Sequence, residues 1–259
     1  MNVRPLKKPG TQYKQFLCLA CGLVFSEPMK GADPALYRDA ESNVDYWTWN
    51  FEISWHHRQF LEEKNLVGKT LLDIGCGVGE FLVEVKKAGC DVYGVDFVAE
   101  KIVVAKKRFG LENVFCASVF DAADTFKGMG FDFVTFFEVL EHLEDPVGFI
   151  RQVRTLLNPG GCIALSVPNR GRTMARFDTE DGPPHHLTRW NINSVTRFLG
   201  LNGFKVIRYA EKRPDIEGFL KSRSMHKGVI PALASALKPV VESLPLCGRG
   251  LYVLAGIEK

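Results

Sequence analysis

The sequence lacks a strong excess of charge of either sign. Its 259 residues include 33 Lys and Arg against 30 Asp and Glu, so the formal net charge is only +3. The basic residues are dispersed along the chain, whereas a nucleic-acid-binding surface gathers them on one face. We therefore expect no nucleic-acid partner.

Long apolar runs and a cysteine framework are also missing. Residues 1–10 contain no apolar core of signal-peptide length, and no later run reaches the roughly 20 apolar residues that cross a bilayer as a helix. The seven cysteines are odd in number and irregularly spaced, which is typical of reduced thiols. We expect a cytoplasmic protein with one principal domain, since 46% apolar content can fill one large core.

What the sequence does have is a glycine turn between an apolar strand and a helix. The strand, Leu71–Ile74, contains Asp73, and the turn holds three alternating glycines, Gly75, Gly77 and Gly79. Glycine allows positive φ and lets the backbone approach a ligand closely. The dinucleotide fingerprint G-x-G-x-x-G would place its third glycine where Glu80 stands, which disfavours an NAD-dependent dehydrogenase. Carboxylates on both sides of the turn repel phosphate and favour a cationic ligand.

A second acid ends the next strand. That strand, Asp91–Val95, leads into Asp96, and an acid at this position commonly accepts hydrogen bonds from the two ribose hydroxyls of a nucleotide. A ligand that combines adenosine with a positive charge is S-adenosylmethionine (SAM), and we expect it as cofactor, with S-adenosylhomocysteine (SAH) as product.

Four motifs, taken together and in order, resemble those of the class I SAM-dependent methyltransferases. They are Leu71–Gly79, Gly94–Asp96, Phe131–Val134 and Val139–Pro146. The resemblance covers roughly residues 68–203, and the Leu-Glu-His turn in the last motif is similar to the branch that holds ubiquinone-biosynthesis O-methyltransferases and many bacterial sugar and natural-product methyltransferases. It implies a Rossmann-like α/β fold with helices on both faces of a mostly parallel seven-stranded sheet, in the order 3-2-1-4-5-7-6 with the last strand antiparallel.

Hydrophobic periodicity supports the same alternation of strands and helices. The further predicted strands are Asn113–Ala117, Phe131–Phe137, Cys162–Val167, Phe204–Tyr209 and Leu251–Ile257. The predicted helices are Val78–Ala88, Ala99–Phe109, Pro146–Leu157 and Asn191–Leu201. Asn158–Gly161 is predicted as a turn, because proline and glycine stop a helix.

The chain divides into three predicted parts. Residues 1–42 form an N-terminal segment, residues 43–212 and 249–259 form the core with a leading helix over Asp45–Asn65, and residues 213–248 form a helical insertion. The tryptophans of the leading helix, such as Trp47 and Trp55, could pack on the sheet or wall a substrate pocket. The insertion is interpreted as a lid or a dimer contact, with membrane-surface docking as the alternative.

The N-terminal segment contains half of a zinc knuckle. Cys18 and Cys21 are followed by a glycine suited to a tight turn, but structural zinc needs four ligands and no second cysteine pair is present. A β-turn packed on the main domain is favoured, with His56 or His57 as distant alternatives for completing a site. We expect no metal.

The resemblance and the chemistry of the motifs together assign the cofactor site. The expected cofactor contacts are Asp73, Gly75, Cys76, Gly77, Gly79, Asp96, Phe97, Ser118, Val119, Phe120, Asp121 and Glu138. The glycine turn should approach the methionine portion, Asp73 its amino group, Asp96 the ribose, and Glu138 the edge of the pocket. Ser118 and Asp121 should contact adenine, with Val119 and Phe120 as apolar walls; alternatively, Asp121 caps a following short helix.

Candidate acid-base residues lie in the long loop after the fifth strand, where such folds bind substrates. His185 or His186 could act as general base for a hydroxyl acceptor, or one of them could fasten the loop to Trp190 or to a carbonyl. The resemblance implies that Glu141 and His142 serve structure near the cofactor, with a catalytic role as the less favoured alternative. The arginines of this region could bind a phosphate or carboxylate of the acceptor: Arg170, Arg172, Arg176 and Arg189.

The sequence therefore predicts a methyltransferase that transfers a methyl group in line to a small molecule, with O-methylation of a sugar or secondary metabolite as the favoured reaction. The alternative is a noncatalytic cofactor-binding or assembly protein of the same fold. The acceptor atom and the oligomeric state stay open.

Overall fold

The computed structural model describes residues 2–6, 12–31, 53–172, 182–212 and 248–258. The strands are β1 (Val3–Leu6), β2 (Lys14–Cys18), β3 (Val24–Glu27), β4 (Thr70–Ile74), β5 (Asp91–Asp96), β6 (Val114–Cys116), β7 (Phe131–Phe137), β8 (Leu157–Pro168), β9 (Thr188–Arg189), β10 (Phe204–Glu211) and β11 (Gly250–Ile257). The helices are α1 (Trp55–Leu61), α2 (Glu80–Lys87), α3 (Ala99–Phe109), α4 (Ala122–Thr125), α5 (Pro146–Thr155) and α6 (Ile192–Leu201), and a 3-10 turn covers Leu140–His142.

Seven strands form the central sheet in the spatial order β10-β11-β8-β7-β4-β5-β6. Counted along the core of the chain, this is the predicted order 3-2-1-4-5-7-6. β4 to β8 pair in parallel, while β11 runs antiparallel to both of its neighbours. The predicted Rossmann-like fold is confirmed.

Both faces of the sheet are covered, as a parallel sheet requires. Side chains alternate between the faces along β4, since Leu72 and Ile74 lie in one buried cluster and Leu71 lies in the other. The first cluster packs under α5 and α6 and includes the fully buried Trp190. The second packs under α1, α2 and α3 and includes Phe60. The apolar runs in the sequence are therefore strands whose side chains are buried on both faces of the sheet.

The helices that border the carboxyl edge of the sheet begin at defined caps. Asp145 accepts a hydrogen bond from the Gly148 backbone N–H at 2.8 Å, and proline follows at the first helical position of α5. Asn191 and Ser194 form a reciprocal capping box at α6. These caps fix where the preceding loops end, and those loops carry the candidate site.

Two predicted boundaries need correction. Helix α2 begins at Glu80 instead of Val78, because Gly79 has a φ of +88° and serves as the N-cap residue. The turn predicted over Asn158–Gly161 is wrong, because these residues belong to β8. Phe131 pairs with Leu157 whereas Phe133 pairs with Cys162, so the extra residues form a bulge within the sheet.

The N-terminal sheet was not predicted from the sequence. β1, β2 and β3 form an antiparallel meander, and β9 adds a fourth strand from the loop that follows β8. Phe25 pairs with Thr188, and the Ser26 N–H donates to the Leu187 carbonyl at 2.9 Å. The N-terminal segment is thus hydrogen-bonded to the loop that carries the two candidate histidines. A two-residue partner strand has too little periodicity to be read from a sequence.

Several predictions fall on residues that the structure does not describe. These are the insertion apart from Gly248, the first part of the leading helix including Trp47, the boundary at residue 42, and Arg176. Within residues 53–65 the leading helix is α1, which ends at Leu61 and not at the predicted Asn65. Among the described residues, none of the helices combines the length and apolar content needed to span a bilayer.

Candidate active site

The glycine turn joins β4 to α2 at the carboxyl edge of the sheet. Gly77 has a φ of +58°, and a Cβ added there would meet no atom within 4 Å, so the backbone faces open space. Gly79 is also left-handed, but a Cβ there would overlap the Leu111 side chain. The turn therefore contains one glycine whose surroundings suit a ligand and another that packing requires.

Asp73 lies at the root of this turn with a buried carboxylate. Its Oδ1 accepts a hydrogen bond from the Thr135 hydroxyl at 2.6 Å. Burial raises the pKa of Asp73 to about 7, and the nearby carboxylates of Asp96 and Glu80 add to this, while the Thr135 hydrogen bond opposes it. A buried carboxyl poised in this way gains most from a ligand that brings a positive charge.

Asp96 ties the end of β5 to the glycine turn. Its Oδ2 accepts from the Gly77 N–H at 2.9 Å and its Oδ1 accepts from the Val98 N–H at 2.9 Å. Each carboxylate oxygen can accept more than one hydrogen bond, so this arrangement leaves capacity for hydroxyl donors. Phe97, the next residue, is 37% exposed beside it. Asp96, which is predicted to bind the ribose, is therefore adjacent to the Gly77 backbone.

Ser118 and Asp121 meet beyond β6, as the predicted adenine contacts would require. The Ser118 hydroxyl donates to Asp121 Oδ2 at 2.7 Å. Asp121 occupies the N-cap position of α4, but its side chain makes no capping hydrogen bond. Capping therefore does not explain why a carboxylate is present at this position. Val119 and Phe120 are half-buried and pack against the first core cluster.

Cys76 lies in the turn but is buried against the second core cluster. Burial raises the pKa of its thiol well above the ordinary value. Its side chain also leaves no room for a side chain at Gly94, where a Cβ would lie 2.9 Å from the Cys76 sulfur. At this position the side chain serves packing, and only the backbone is suited to contact a cofactor.

Glu138 follows β7 with a φ of +53°, an unusual value for a residue other than glycine. Its N–H donates to the Ser166 carbonyl at 3.0 Å, and the Ser166 hydroxyl donates to Glu138 Oε1 at 2.7 Å. Burial raises the pKa of Glu138, and the Ser166 hydrogen bond opposes this. Such backbone strain costs roughly 1–3 kcal/mol and clusters at functional sites.

A pocket of about 840 Å³ opens beside Glu138. It is lined by Ser54, Trp55, His56, Glu138, His142, Pro168, Arg172, Gly182, Pro183, His185, His186, Lys212, Arg249 and Gly250. Glu138 follows β7, Pro168 ends β8 and Gly250 begins the antiparallel β11, so the pocket and the glycine turn share the carboxyl edge of the sheet, where open α/β folds bind ligands. The glycine turn itself does not line it.

The predicted histidines reach this pocket together with His142. His142 Nδ1 lies 2.8 Å from the backbone oxygen of His185, and the His142 and His186 rings meet edge to face with centroids 4.8 Å apart. Burial lowers the pKa of His142 to about 4. Trp190 Nε1 donates to the Thr188 hydroxyl at 2.8 Å, so that proposed anchor for a histidine is engaged elsewhere.

Among the described residues, three cations line the pocket, and two of them were not predicted from the sequence. Lys212 and Arg249 flank the predicted insertion, and only the pairing of β10 with β11 brings them here. Arg172 was predicted; its Nη1 donates to the Asn169 carbonyl at 3.0 Å. Arg170 and Arg189 lie outside the pocket lining.

Helix α1 contributes aromatic walls. Trp55 lines the pocket and also packs against the second core cluster. His56 stacks on Phe137 at 5.0 Å, and burial lowers the pKa of His56 to about 3. Both proposed uses of Trp55, packing and lining, apply.

Cys18 and Cys21 face each other across the turn between β2 and β3. Backbone hydrogen bonds from residues 20 and 21 lower the pKa of Cys18, whereas burial raises the pKa of Cys21. Within the described part of the chain, no His, Asp or Glu completes a set of three ligands with them. The turn packs near Asn191 and Arg170, as the favoured β-turn alternative requires.

Comparison with known proteins identifies the class that this fold and site define. A family model described as a methyltransferase domain matches residues 46–209, which is more than half of the chain. The chain therefore belongs to this family, within the class I SAM-dependent methyltransferases.

Two curated relatives are ubiquinone biosynthesis O-methyltransferases. That of Aliivibrio fischeri is 32% identical over 151 residues, covering 53% of this chain and 64% of that protein. That of Chromobacterium violaceum is 36% identical over 111 residues, covering 41% of this chain and 47% of that protein. The chain thus spans about half to just under two thirds of the length of these relatives.

A solved structure shares the fold. The magnesium protoporphyrin IX methyltransferase of Synechocystis, determined with bound SAH, superposes with a TM-score of 0.56 at 17% identity. The match covers 87% of this chain and 100% of that one.

Proposed function

We propose that this protein transfers a methyl group from SAM to a hydroxyl oxygen of a small molecule that carries an anionic group. The observation that supports this most is the pocket beside Glu138, which shares the sheet edge with the glycine turn and contains Arg172, Lys212 and Arg249. A methyl donor on the turn and an acceptor in the pocket would then meet at Glu138.

The described residues fit the cofactor. The open space at Gly77 leaves room for a ligand against the backbone, the buried Asp73 offers a partner to an ammonium group, and Asp96 offers acceptor capacity to ribose hydroxyls. We propose Ser118, Val119, Phe120 and Asp121 as the adenine subsite. When bound, SAM supplies an electrophilic methyl group on a positively charged sulfur.

The protein's own task is mainly alignment. Holding two reactants in line can supply roughly 7–11 kcal/mol of the barrier reduction. His185 or His186 would accept the proton of the acceptor hydroxyl, a step worth about 100-fold to 10,000-fold in rate. Both histidines line the pocket from a loop that β9 ties to the N-terminal sheet.

The positive pocket favours an acceptor with a phosphate or carboxylate. Such a group occurs on sugar phosphates, nucleotide sugars and acidic secondary metabolites, in agreement with the O-methylation expected from sequence. The curated relatives are also named as O-methyltransferases. We further propose a cytoplasmic location, on the ground of the odd, irregularly spaced cysteines.

Two experiments test the proposal. Calorimetry should detect binding of SAM and SAH but not of NAD; failure to bind either sulfur compound would refute the cofactor assignment. Transfer of a labelled methyl group should then be screened over phosphorylated and carboxylated alcohols, using wild type and the variants His185→Ala and His186→Ala. The variant that removes the base should lower kcat at least 100-fold while SAH affinity is retained. If His185→Ala and His186→Ala both kept wild-type turnover, neither histidine would be the general base.

A further inference from the structure

Three side chains of types that can bind metal ions lie close together at the edge of the pocket beside Glu138, the proposed acceptor pocket. The potential ligand atoms of Glu141, His142 and His186 all lie within 4.8 Å of one another. Glu141 and His142 come from the 3-10 turn after β7, whereas His186 comes from the loop after β8. No metal was expected from the sequence, because Cys18 and Cys21 lack a second cysteine pair. His142 and His186 lie 44 positions apart, a separation that gives no recognisable ligand spacing.

The backbone holds the two contributing segments together. The Leu187 N–H donates to the Glu141 carbonyl at 2.8 Å, so the residues next to His186 are hydrogen-bonded directly to the turn. The edge-to-face contact between His142 and His186 adds a second link. The side chains are therefore gathered by the fold before any ion binds, which lowers the cost of assembling a site.

His142 is oriented as a metal ligand. Its Nδ1 lies 2.8 Å from the His185 backbone oxygen, which can only accept, so the proton belongs on Nδ1 and the lone pair on Nε2. Nε2 is 4.0 Å from Glu141 Oε1.

Glu141 supplies the negative charge. Its side chain is 1% exposed, and a carboxylate buried to this degree is stabilised by paired charges or by a metal ion. Glu138 lies three residues earlier and lines the pocket. One buried carboxylate and two imidazoles at one edge form a donor set that suits a divalent cation.

We propose that Glu141, His142 and His186 bind one divalent transition-metal ion, with zinc as the expected metal and one coordination position open to the pocket. One carboxylate and two imidazoles form a donor set used by catalytic zinc sites, which have three protein ligands. Tetrahedral bonds of about 2.0–2.2 Å place ligand atoms roughly 3.4 Å apart. The present separations of up to 4.8 Å are wider than this, so the three side chains must move inward when the ion binds.

The open position faces the proposed acceptor site, because His142 and His186 both line the pocket. A metal there would polarise the acceptor hydroxyl and ease loss of its proton. That proton would pass to His185 or to water, the oxygen would bond to the methyl carbon, and the sulfur–methyl bond would break to release SAH. This use of the ion rests on the proposed function, whereas its binding does not.

Metal binding can be tested without an acceptor. Full-length protein stripped with a chelator should bind one Zn²⁺ by calorimetry, and Co²⁺ should give the visible bands of a four-coordinate nitrogen and oxygen site without sulfur-to-metal charge transfer. Glu141→Gln and His186→Ala should each weaken Zn²⁺ affinity at least tenfold, provided that circular dichroism confirms folding. The double variant Cys18→Ser, Cys21→Ser is the matched control and should retain wild-type affinity.

Other results would refute the proposed metal site. If wild type takes up none of Zn²⁺, Mn²⁺ or Fe²⁺, or if binding persists in His186→Ala and is lost in the cysteine variant, the proposed site is refuted. The Co²⁺ spectrum of wild type gives the same decision if a variant fails to fold. Zinc binding without SAH binding would refute the proposed function and leave the metal site standing.

Discussion

The Thr135 hydroxyl donates a hydrogen bond of 2.6 Å to Asp73 Oδ1, and these two residues are direct partners in the parallel pairing of β7 with β4. The strand register therefore places a hydroxyl donor against a carboxylate at the root of the glycine turn. Because this donor opposes the effect of burial on the pKa of Asp73, it helps to keep the carboxyl ionisable near neutrality.

Removing this donor should weaken cofactor binding. Thr135→Val keeps the shape of the side chain but leaves Asp73 without its hydroxyl partner, so the pKa of Asp73 should rise further. A hydrogen bond to a charged group contributes about 1.5–3 kcal/mol, and SAH affinity at neutral pH should fall by about tenfold or more. Calorimetry measures this. Thr196→Val, at an exposed position on α6, is the control and should bind SAH normally.

Asp73 should make both stability and binding depend on pH. Its pKa is raised from 3.8 to about 7 in the folded protein, so between these values the folded state binds more protons than the unfolded state. The stability of the unliganded protein should fall as pH rises from about 4 to about 7 and then level off, while affinity for the ammonium group of SAH should rise over that window. Denaturant titrations and calorimetry at several pH values report the two trends.

Asp73→Asn provides the check on this pH dependence. The amide cannot ionise, so the part of both trends that comes from Asp73 should disappear, and SAH affinity should be low at every pH. If Asp73→Asn kept the wild-type pH profile, the titrating group would have to be another residue.

The glycines of the turn should respond differently to alanine. Gly77→Ala should cost about 1–2 kcal/mol of stability through its positive φ and should also reduce SAH affinity strongly, because the new methyl group enters the ligand's space. Gly68→Ala is matched in strain, with a φ of +70° and no atom within 4 Å of an added Cβ, but lies in the turn before β4, at the opposite end of that strand from Gly77. It should lose similar stability and bind SAH normally. Equal SAH affinity in the two variants would exclude Gly77 from the cofactor site.

Gly79→Ala should act through packing. A Cβ there overlaps the Leu111 side chain, and the backbone is also left-handed. We expect a larger loss of unfolding free energy than for Gly77→Ala, measured by the same denaturant titration. A smaller loss would show that Leu111 can move aside at little cost.

The cations of the pocket should act on the acceptor and not on the cofactor. Arg249→Gln should raise KM for an anionic acceptor by about tenfold, since one charge-assisted hydrogen bond contributes about 1.5–3 kcal/mol. The control Lys205→Gln removes an exposed charge from β10, outside the pocket lining, and should leave KM unchanged. An unchanged KM for the anionic acceptor in Arg249→Gln would contradict this role of Arg249.

The sequence by itself determined the cofactor half of the protein. The glycine turn and the acids at Asp73 and Asp96 depend on local patterns, because each strand, turn and helix start is encoded within a few neighbouring residues. Most element boundaries follow from these patterns, whereas the observed sheet order had been implied by the resemblance to class I methyltransferases. The exception at Asn158–Gly161 arose because proline and glycine mark a bulge as readily as a turn.

Only the tertiary structure decided the acceptor half. The four-stranded N-terminal sheet depends on a two-residue strand contributed by a distant loop, and the pocket gathers His56, His142, His186 and Arg249 from separate elements. Burial, which sets the pKa of Asp73 and His142, likewise comes from packing between distant segments. Such contacts have no fixed spacing along the chain, since they follow from how apolar faces pack in three dimensions.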